Sequence, residues 1–245
     1  MLKELKPGFL LMAVMTVMLG LIYPAVITMI AQVVFPNQAN GSLIVRDGEV
    51  IGSRLLGQSF ARPEYFHPRP SGAGSGYDAS ASAGSNLGPT SAKLLNGAIT
   101  TDDKGAESVA FDGIKVRIVH YCVENRIPYQ SSTSLDTFKD AQGNLDDVKL
   151  IKAFSDEKAP LVFRPMSSIP ADAVTGSASG LDPDISPANA EVQAARVAMA
   201  RRVPVEGVRR LIGQHTVGRT FGLLGEPHVN VLELNLAIDE VFPAR

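Results

Sequence analysis

The sequence predicts a mixed α/β (α+β) domain outside the cytoplasm, anchored by one N-terminal transmembrane helix. Three observations carry this. Residues 8–35 form a single apolar run with no Asp, Glu, Lys or Arg. Beyond it the chain turns polar and is punctuated by Gly and Pro. The polar part then mixes strand-like alternation with helical spacing and capping residues.

The apolar run is about 28 residues, or about 42 Å at 1.5 Å per residue, against a hydrocarbon core of about 30 Å. It is too long for the apolar region of a signal peptide, and no clean small-residue cleavage site follows. A soluble helix of this length would carry a polar stripe. The chain divides accordingly into a short cytoplasmic tail (1–7), the span (8–35) and an outer domain (36–245). Lys3 and Lys6 precede the span, whereas the first basic residues after it are Arg46 and Arg54. That bias puts the amino terminus in the cytoplasm and the domain outside the inner, or plasma, membrane. Within the span Pro24 has no N–H for the carbonyl of Gly20, which predicts a kink at Gly20–Pro24. Ala13, Thr16 and Gly20 share a helical face small enough for another membrane helix to approach.

The outer domain begins with a linker, 36–41. Asp47-Gly48 between Ser42–Val45 and Val50–Ile51 predicts a hairpin, with Leu55, Leu56 and Phe60 extending its second strand. Residues 61–91 are rich in Pro, Gly and Ser yet carry Tyr65, Phe66, His67, Arg69, Tyr77 and Asp78. A plain linker rarely holds so many aromatics, so an ordered loop docked on a partner is expected. Tyr65, Phe66 and Arg69 are the residue types enriched at interface hot spots, and Arg69 is expected to meet a partner's carboxylate. Thr90 or Ser91 caps a short helix, Ala92–Asn96, stopped by Gly97.

Residues 98–168 have the charge density of a solvated inserted module. Lys115–Tyr121 alternates basic and apolar residues, as a half-buried strand does. His120 and Cys122 fall on one face of that strand, but two ligands without a third make a poor metal site. Farther on, Ser186 as N-cap and Pro187 at the first helical position begin an Ala-rich helix to about Arg202. A second helix, Pro204–His215, carries Val205, Val208, Leu211 and Ile212 at helical spacing. Leu232, Leu234, Leu236 and Ile238 share one parity and predict a strand.

Chemistry is sparse. The net charge is −2, so no nucleic-acid partner is indicated. A single cysteine, Cys122, excludes an intrachain disulfide. Phosphate-loop, G-x-S-x-G and H-E-x-x-H motifs do not occur, and the four histidines are scattered. Asp78, Asp182, Asp184 and Glu226 are the acids available for pairing across the fold, and turn formation is their commoner use. The chain by itself does not read as an enzyme.

Several blocks, in order, resemble the C subunit of the Kdp high-affinity potassium-transporting ATPase. They are the N-terminal anchor, GSRLLGQSF at Gly52–Phe60, PEYFHPRPS at Pro63–Ser71, GSNLGP at Gly84–Pro89, ASGLDPDISPANA at Ala178–Ala190 and EPHVNVLELNL at Glu226–Leu236. The blocks leave out 98–168, where the family has a shorter connection. The resemblance implies an accessory, non-catalytic subunit in the bilayer. Its partners would be a potassium-conducting A subunit, an ATP-hydrolysing P-type B subunit and a small F subunit. Potassium would be the transported ion, and ATP would be met through the complex. The P-type motif D-K-T-G is absent, since Asp103-Lys104 is followed by Gly105. The family is also described as a catalytic chaperone raising ATP affinity, which maps onto Ser177, Ser179 and Gln193. A Ser/Gly turn can cradle an anion, but Asp182 and Asp184 beside it would repel phosphate. Helix capping is the simpler use of the stretch. The rival class is a free-standing anchored hydrolase using Ser or Asp residues of 61–91.

Overall fold

A computed structural model describes residues 2–243, with side chains from Leu5 onward, so the side chain of Lys3, invoked for orientation, lies outside it. The chain forms two compact units, residues 1–55 and 56–245.

The first unit is a long apolar helix followed by a hairpin. Leu5–Val34 is the one helix among the described residues long and apolar enough to cross a membrane, with a mean hydropathy of 2.3. Where a kink was expected, the α-helix Leu2–Val17 opens into a π-helical turn, Met18–Ile22, before continuing as Tyr23–Val34. The Tyr23 N–H reaches back to the Met18 carbonyl. A wide turn next to Pro24 is a usual way to absorb the ring and its missing donor. The hairpin pairs Leu43–Arg46 with Glu49–Ser53. Asp47 and Gly48 both adopt positive φ, as a two-residue turn matched to strand twist requires. The second strand ends at Ser53 rather than running on to Leu56 and Phe60.

The second unit has three apolar clusters. The largest surrounds Phe66 and is built from the helices Pro187–Arg201, Val205–His215 and Val231–Val241, over a three-stranded antiparallel sheet. That sheet places His228–Asn230 between Asp184–Ile185 and Thr216–Val217. The second cluster, with Val116, Val119, Leu150 and Phe154, is formed within 98–168. The third joins Tyr121, Cys122 and Ile127 to Val174 and Val192.

Two strand expectations give way to helices. Lys115–Tyr121 lies in the helix Ile114–Glu124, because Val116, Val119 and Cys122, at intervals of three, are the fully buried positions. Leu232–Ile238 lies in the helix Val231–Val241, which buries Val231, Leu232, Leu234, Asn235 and Ile238. The capping expectations hold: Ser91 accepts from Leu94 N and Ser186 from Asn189 N.

Candidate functional site

The Pro63–Ser71 loop is irregular, so its backbone polar groups find no ladder and must be satisfied otherwise. Side chains from two helices do this. Arg196, almost fully buried, donates through Nη1 to the carbonyls of Pro63 (2.7 Å) and Tyr65 (2.9 Å), and through Nε to Asn125 Oδ1 (3.1 Å). Arg201 Nε donates to the Glu64 carbonyl (2.8 Å), and its Nη2 to Asp239 Oδ1 (2.8 Å). Asn235 clasps Phe66 on both sides, accepting from its N–H (2.8 Å) and donating to its carbonyl (3.0 Å). Gln193 does the same at His67, accepting from N at 2.7 Å and donating to O at 3.0 Å.

This geometry reassigns the loop residues singled out from sequence. Phe66 is 0% exposed and sits in the largest core cluster, so its ring is core packing and not a docking surface. Tyr65 is half-buried, with its hydroxyl on Asp239 Oδ2 at 3.1 Å. Arg69 pairs within its own chain, Nη1 to Asp182 Oδ2 at 2.8 Å, with its other nitrogens on the Thr175 and Gly176 carbonyls. It therefore does not wait for a partner's carboxylate. Tyr77 donates to the Arg69 carbonyl, and burial raises its phenol pKa, with Asp182 adding and Arg69 opposing.

Gln193 is 1% exposed, and its carboxamide is fully engaged: Oε1 also accepts from Arg196 Nη2 (2.6 Å), and Nε2 also donates to Asn189 Oδ1 (2.9 Å). Ser177 and Ser179 lie on a different segment, against the Gly/Ser loop, where Ser179 O accepts from Ser82 Oγ at 3.0 Å. Gly180, at φ +68, comes so close to Ala73 N and Ala83 O that no Cβ would fit. Asp182 holds Arg69, Glu226 holds Arg219, and Asp78 caps the turn at Ala79–Ala81. Asp184 accepts from Asn230 Nδ2 at 3.3 Å, so each of the four acids has its own partner. In the span, Ala13 is half-buried while Thr16 and Gly20 are exposed, and a Cβ at Gly20 would meet nothing within 4 Å.

A polar cleft of about 360 Å³ is lined by His67, Gln193, Arg117, His120, Glu124 and Asp147. His67 Nδ1 is 2.6 Å from Glu124 Oε1, and its Nε2 is 3.0 Å from the Arg62 carbonyl. Burial alone would raise the Glu124 pKa, but the His67 bond and the nearby charges outweigh it and hold the carboxyl below its ordinary value. His120 Nε2 meets Asp147 Oδ1 at 2.5 Å, and that bond raises the imidazole pKa against the effect of burial. Cys122 is buried on another side of the helix, its thiol pushed up to about 11 by burial. Among the described residues, no group of three or more His, Cys, Asp and Glu side chains could hold a metal ion. Sequence reasoning missed Arg196, Arg201 and Asn235, and the one available sign was polar residues at core-facing positions of otherwise apolar helices.

The apolar helix has the length and composition of a membrane span, and the domain beyond it uses its buried polar groups to hold its own loops, which suits a membrane-associated protein. The comparisons are more particular. A family profile described as "KdpC: K+-transporting ATPase, c chain" matches residues 5–112 and 130–240. The chain is 43% identical over 243 residues to the potassium-transporting ATPase KdpC subunit of Beijerinckia indica, covering 99% of this chain and 96% of that protein. It is 42% identical over 239 residues to the subunit of that name from Mycobacterium tuberculosis, covering 98% and 99%. The Caulobacter vibrioides subunit is 43% identical over 244 residues, covering 99% and 96%. The chain belongs to the KdpC family, the c chain of the potassium-transporting ATPase, a subunit without catalytic activity of its own. The family match also takes in most of residues 98–168, where the sequence blocks do not reach.

Proposed function

We propose that this subunit assembles and stabilises the potassium-transporting ATPase from the outer side of the plasma membrane. Its amino terminus would be cytoplasmic. Its partners would be the potassium-conducting A subunit, the P-type B subunit and the small F subunit. The observation that supports this best is the long apolar helix Leu5–Val34 within a chain matched to KdpC subunits along almost its whole length. The small face Ala13, Thr16 and Gly20 would meet another membrane helix, since packing rather than hydrophobicity drives association in lipid. Co-expression with the other chains, mild-detergent purification and identification of the recovered chains test the reading. Recovery of this subunit alone would overturn it. Labelling of a C-terminal cysteine by an impermeant reagent in intact spheroplasts tests the orientation, and labelling only after lysis would reverse it.

The effect on ATP affinity described for the family would be transmitted through a partner chain and not by nucleotide contact. The engaged carboxamide of Gln193 favours this, since all its hydrogen-bonding positions are taken. Calorimetric titration of the reconstituted full chain with ATP should show no saturable binding. Binding lost on Gln193→Ala would restore direct contact.

A further inference from the structure

We propose that His67 is a proton-operated latch, which ties the helix Ile114–Glu124 of the 98–168 module to the loop at Arg62 and lets go when its proton is lost. The ring meets acceptors on both sides: Nδ1 lies 2.6 Å from Glu124 Oε1 and Nε2 3.0 Å from the Arg62 carbonyl. A neutral imidazole donates from one nitrogen only, so the imidazolium is the form that satisfies both contacts. Arg196 Nη1 is 3.5 Å from Nε2, but its two hydrogens go to the Pro63 and Tyr65 carbonyls, at 2.7 and 2.9 Å. It has none left for an unprotonated Nε2. The count is the same if the proton of the pair sits on Glu124, with Nε2–H still on Arg62 and Nδ1 accepting. Either arrangement needs that one proton, and without it two lone pairs face each other.

The latch spans a seam between the module and the rest of the domain. Across it Tyr121 donates to Asn189 Oδ1 (2.8 Å), Arg196 Nε to Asn125 Oδ1 (3.1 Å) and Arg117 Nη1 to the Val174 carbonyl (3.3 Å). These groups keep one protonation state through the neutral range, because arginine stays charged and burial raises the Tyr121 phenol pKa. The charges that face His67 are Arg117, His120 and Glu124 on the helix Ile114–Glu124, Asp112 just before it, Asp147 opening the helix Asp147–Ser155, and Arg196 on Pro187–Arg201. On the loop itself Arg62 pairs with Glu64 at 3.1 Å. Asp112 holds Arg117 with both oxygens, and Asp147 holds His120. Glu124 therefore favours a charged His67 ring, and Arg196 opposes it. Arg196 Nε is also 3.8 Å from Glu124, so the acid keeps a partner when His67 is neutral, and the latch opens without stranding a charge. The cleft lies beside the pair, and His67 is 20% and Glu124 37% exposed, so the proton exchanges with solvent. The closed seam holds a proton that the open one gives up near the ordinary histidine value of about 6.5. Opening therefore increases as pH rises. The compartment whose pH is read follows from the orientation proposed above, whereas the latch itself does not rest on it.

Cys122 reports on the seam. It is the only cysteine, is fully buried, and lies in the cluster that joins the module to Val174 and Val192. The full chain in detergent is labelled with dithiodipyridine, and the rate is divided by that of the urea-unfolded chain at the same pH to remove the ionisation of the thiol. A buried thiol is labelled through transient opening, so this ratio follows the open fraction. In wild type it should rise about fivefold from pH 5.5 to pH 8.5, near the most that a partly exposed pair carries. His67→Gln has no proton to lose, and its ratio should stay flat. Glu124→Gln should be flat and low, because its amide can donate to Nδ1 and leave Nε2–H on Arg62 without the extra proton. His120→Gln should keep the wild-type rise, since its pair with Asp147 lies within the module and does not cross the seam. A wild-type ratio that does not change with pH would overturn the proposal. So would a rise that survives in His67→Gln or one that disappears in His120→Gln. If His67→Gln does not fold, Glu124→Gln decides alone, and a full rise there sinks the latch. The measurement needs no other chain of the ATPase, so its failure leaves the assembly role standing.

Discussion

Two irregular segments of the domain beyond the apolar helix, 63–71 and 217–225, carry a phenylalanine and treat it in opposite ways. In Pro63–Ser71 the ring of Phe66 is fully buried, and side chains of the helices Pro187–Arg201 and Val231–Val241 hold the flanking backbone. In the hairpin tip Val217–Gly225 the ring of Phe221 is almost fully exposed, and beyond the pairing of Val217 with His228 the backbone hydrogen bonds join the turn to itself, with Arg219 held by Glu226. Each holds a phenylalanine and an arginine among residues that break regular structure, prolines in the first and glycines in the second. What separates them is a supply of buried donors and acceptors. A loop can enter a core only where its N–H and C=O groups find partners there. Asn235, Gln193 and Arg196 provide those partners for the first loop, and the tip has no counterpart.

The comparison breaks most visibly at Phe66. Phe66→Ala should destabilise the domain by about 3–5 kcal/mol, the usual range for a buried aromatic. Thermal unfolding should show a melting temperature lower by about 10 °C for a body of this size. A change of only a degree or two would mean the ring is not in the core. Next comes the clasp. Asn235→Ala strands the Phe66 N–H and carbonyl, at about 1–3 kcal/mol for a buried group left unsatisfied. Proteolysis within residues 61–71 should accelerate, and an unchanged cleavage rate would show that the clasp does not hold the loop.

A smaller effect, under about 1 kcal/mol for a partly exposed pair, is expected where His120 meets Asp147. The raised folded-state pKa of His120 makes its contribution full below the ordinary histidine value. The contribution fades as pH rises through the folded-state value. Wild type should therefore exceed His120→Gln in melting temperature at pH 5.5 and lose that advantage by pH 9. The reverse order would contradict the assignment. Smallest is Phe221→Ser, within about 0.5 kcal/mol for a surface change in the isolated domain. A large loss of stability there would show the tip to be packed and the contrast with Phe66 to be false.

Local signals were legible in the sequence. Ser91, Ser186 and Asp47-Gly48 announced their caps and turn, because those interactions are made within a few residues. Period was misread over short runs. Leu232, Leu234, Leu236 and Ile238 share a parity, yet Val231, Leu234 and Ile238 lie on the buried face of a helix. Seven residues rich in leucine fit both periods, and what separates them is Asn235, buried beside Phe66, and Leu236, which is only half-buried. The stretch 61–91 reads from sequence as an ordered loop docked on another chain, which does not hold for Phe66, buried in the core, or for Arg69, paired with Asp182. Nothing near Arg69 in the sequence points to Asp182, more than a hundred residues away, as its partner.

The π-helical turn at Met18–Ile22 bears on how the anchor is read. Each residue of an α-helix advances about 100° around the axis, and a turn that closes over one extra residue slips the screw by about that much. The two halves of the span are thus out of phase. A neighbour following the stripe of Ala13 and Thr16 loses it above Ile22, where counting by three and four no longer points the same way. Deleting one residue within 18–22 would restore a single phase and swing Tyr23–Val34 to a new azimuth, without shortening the apolar stretch appreciably.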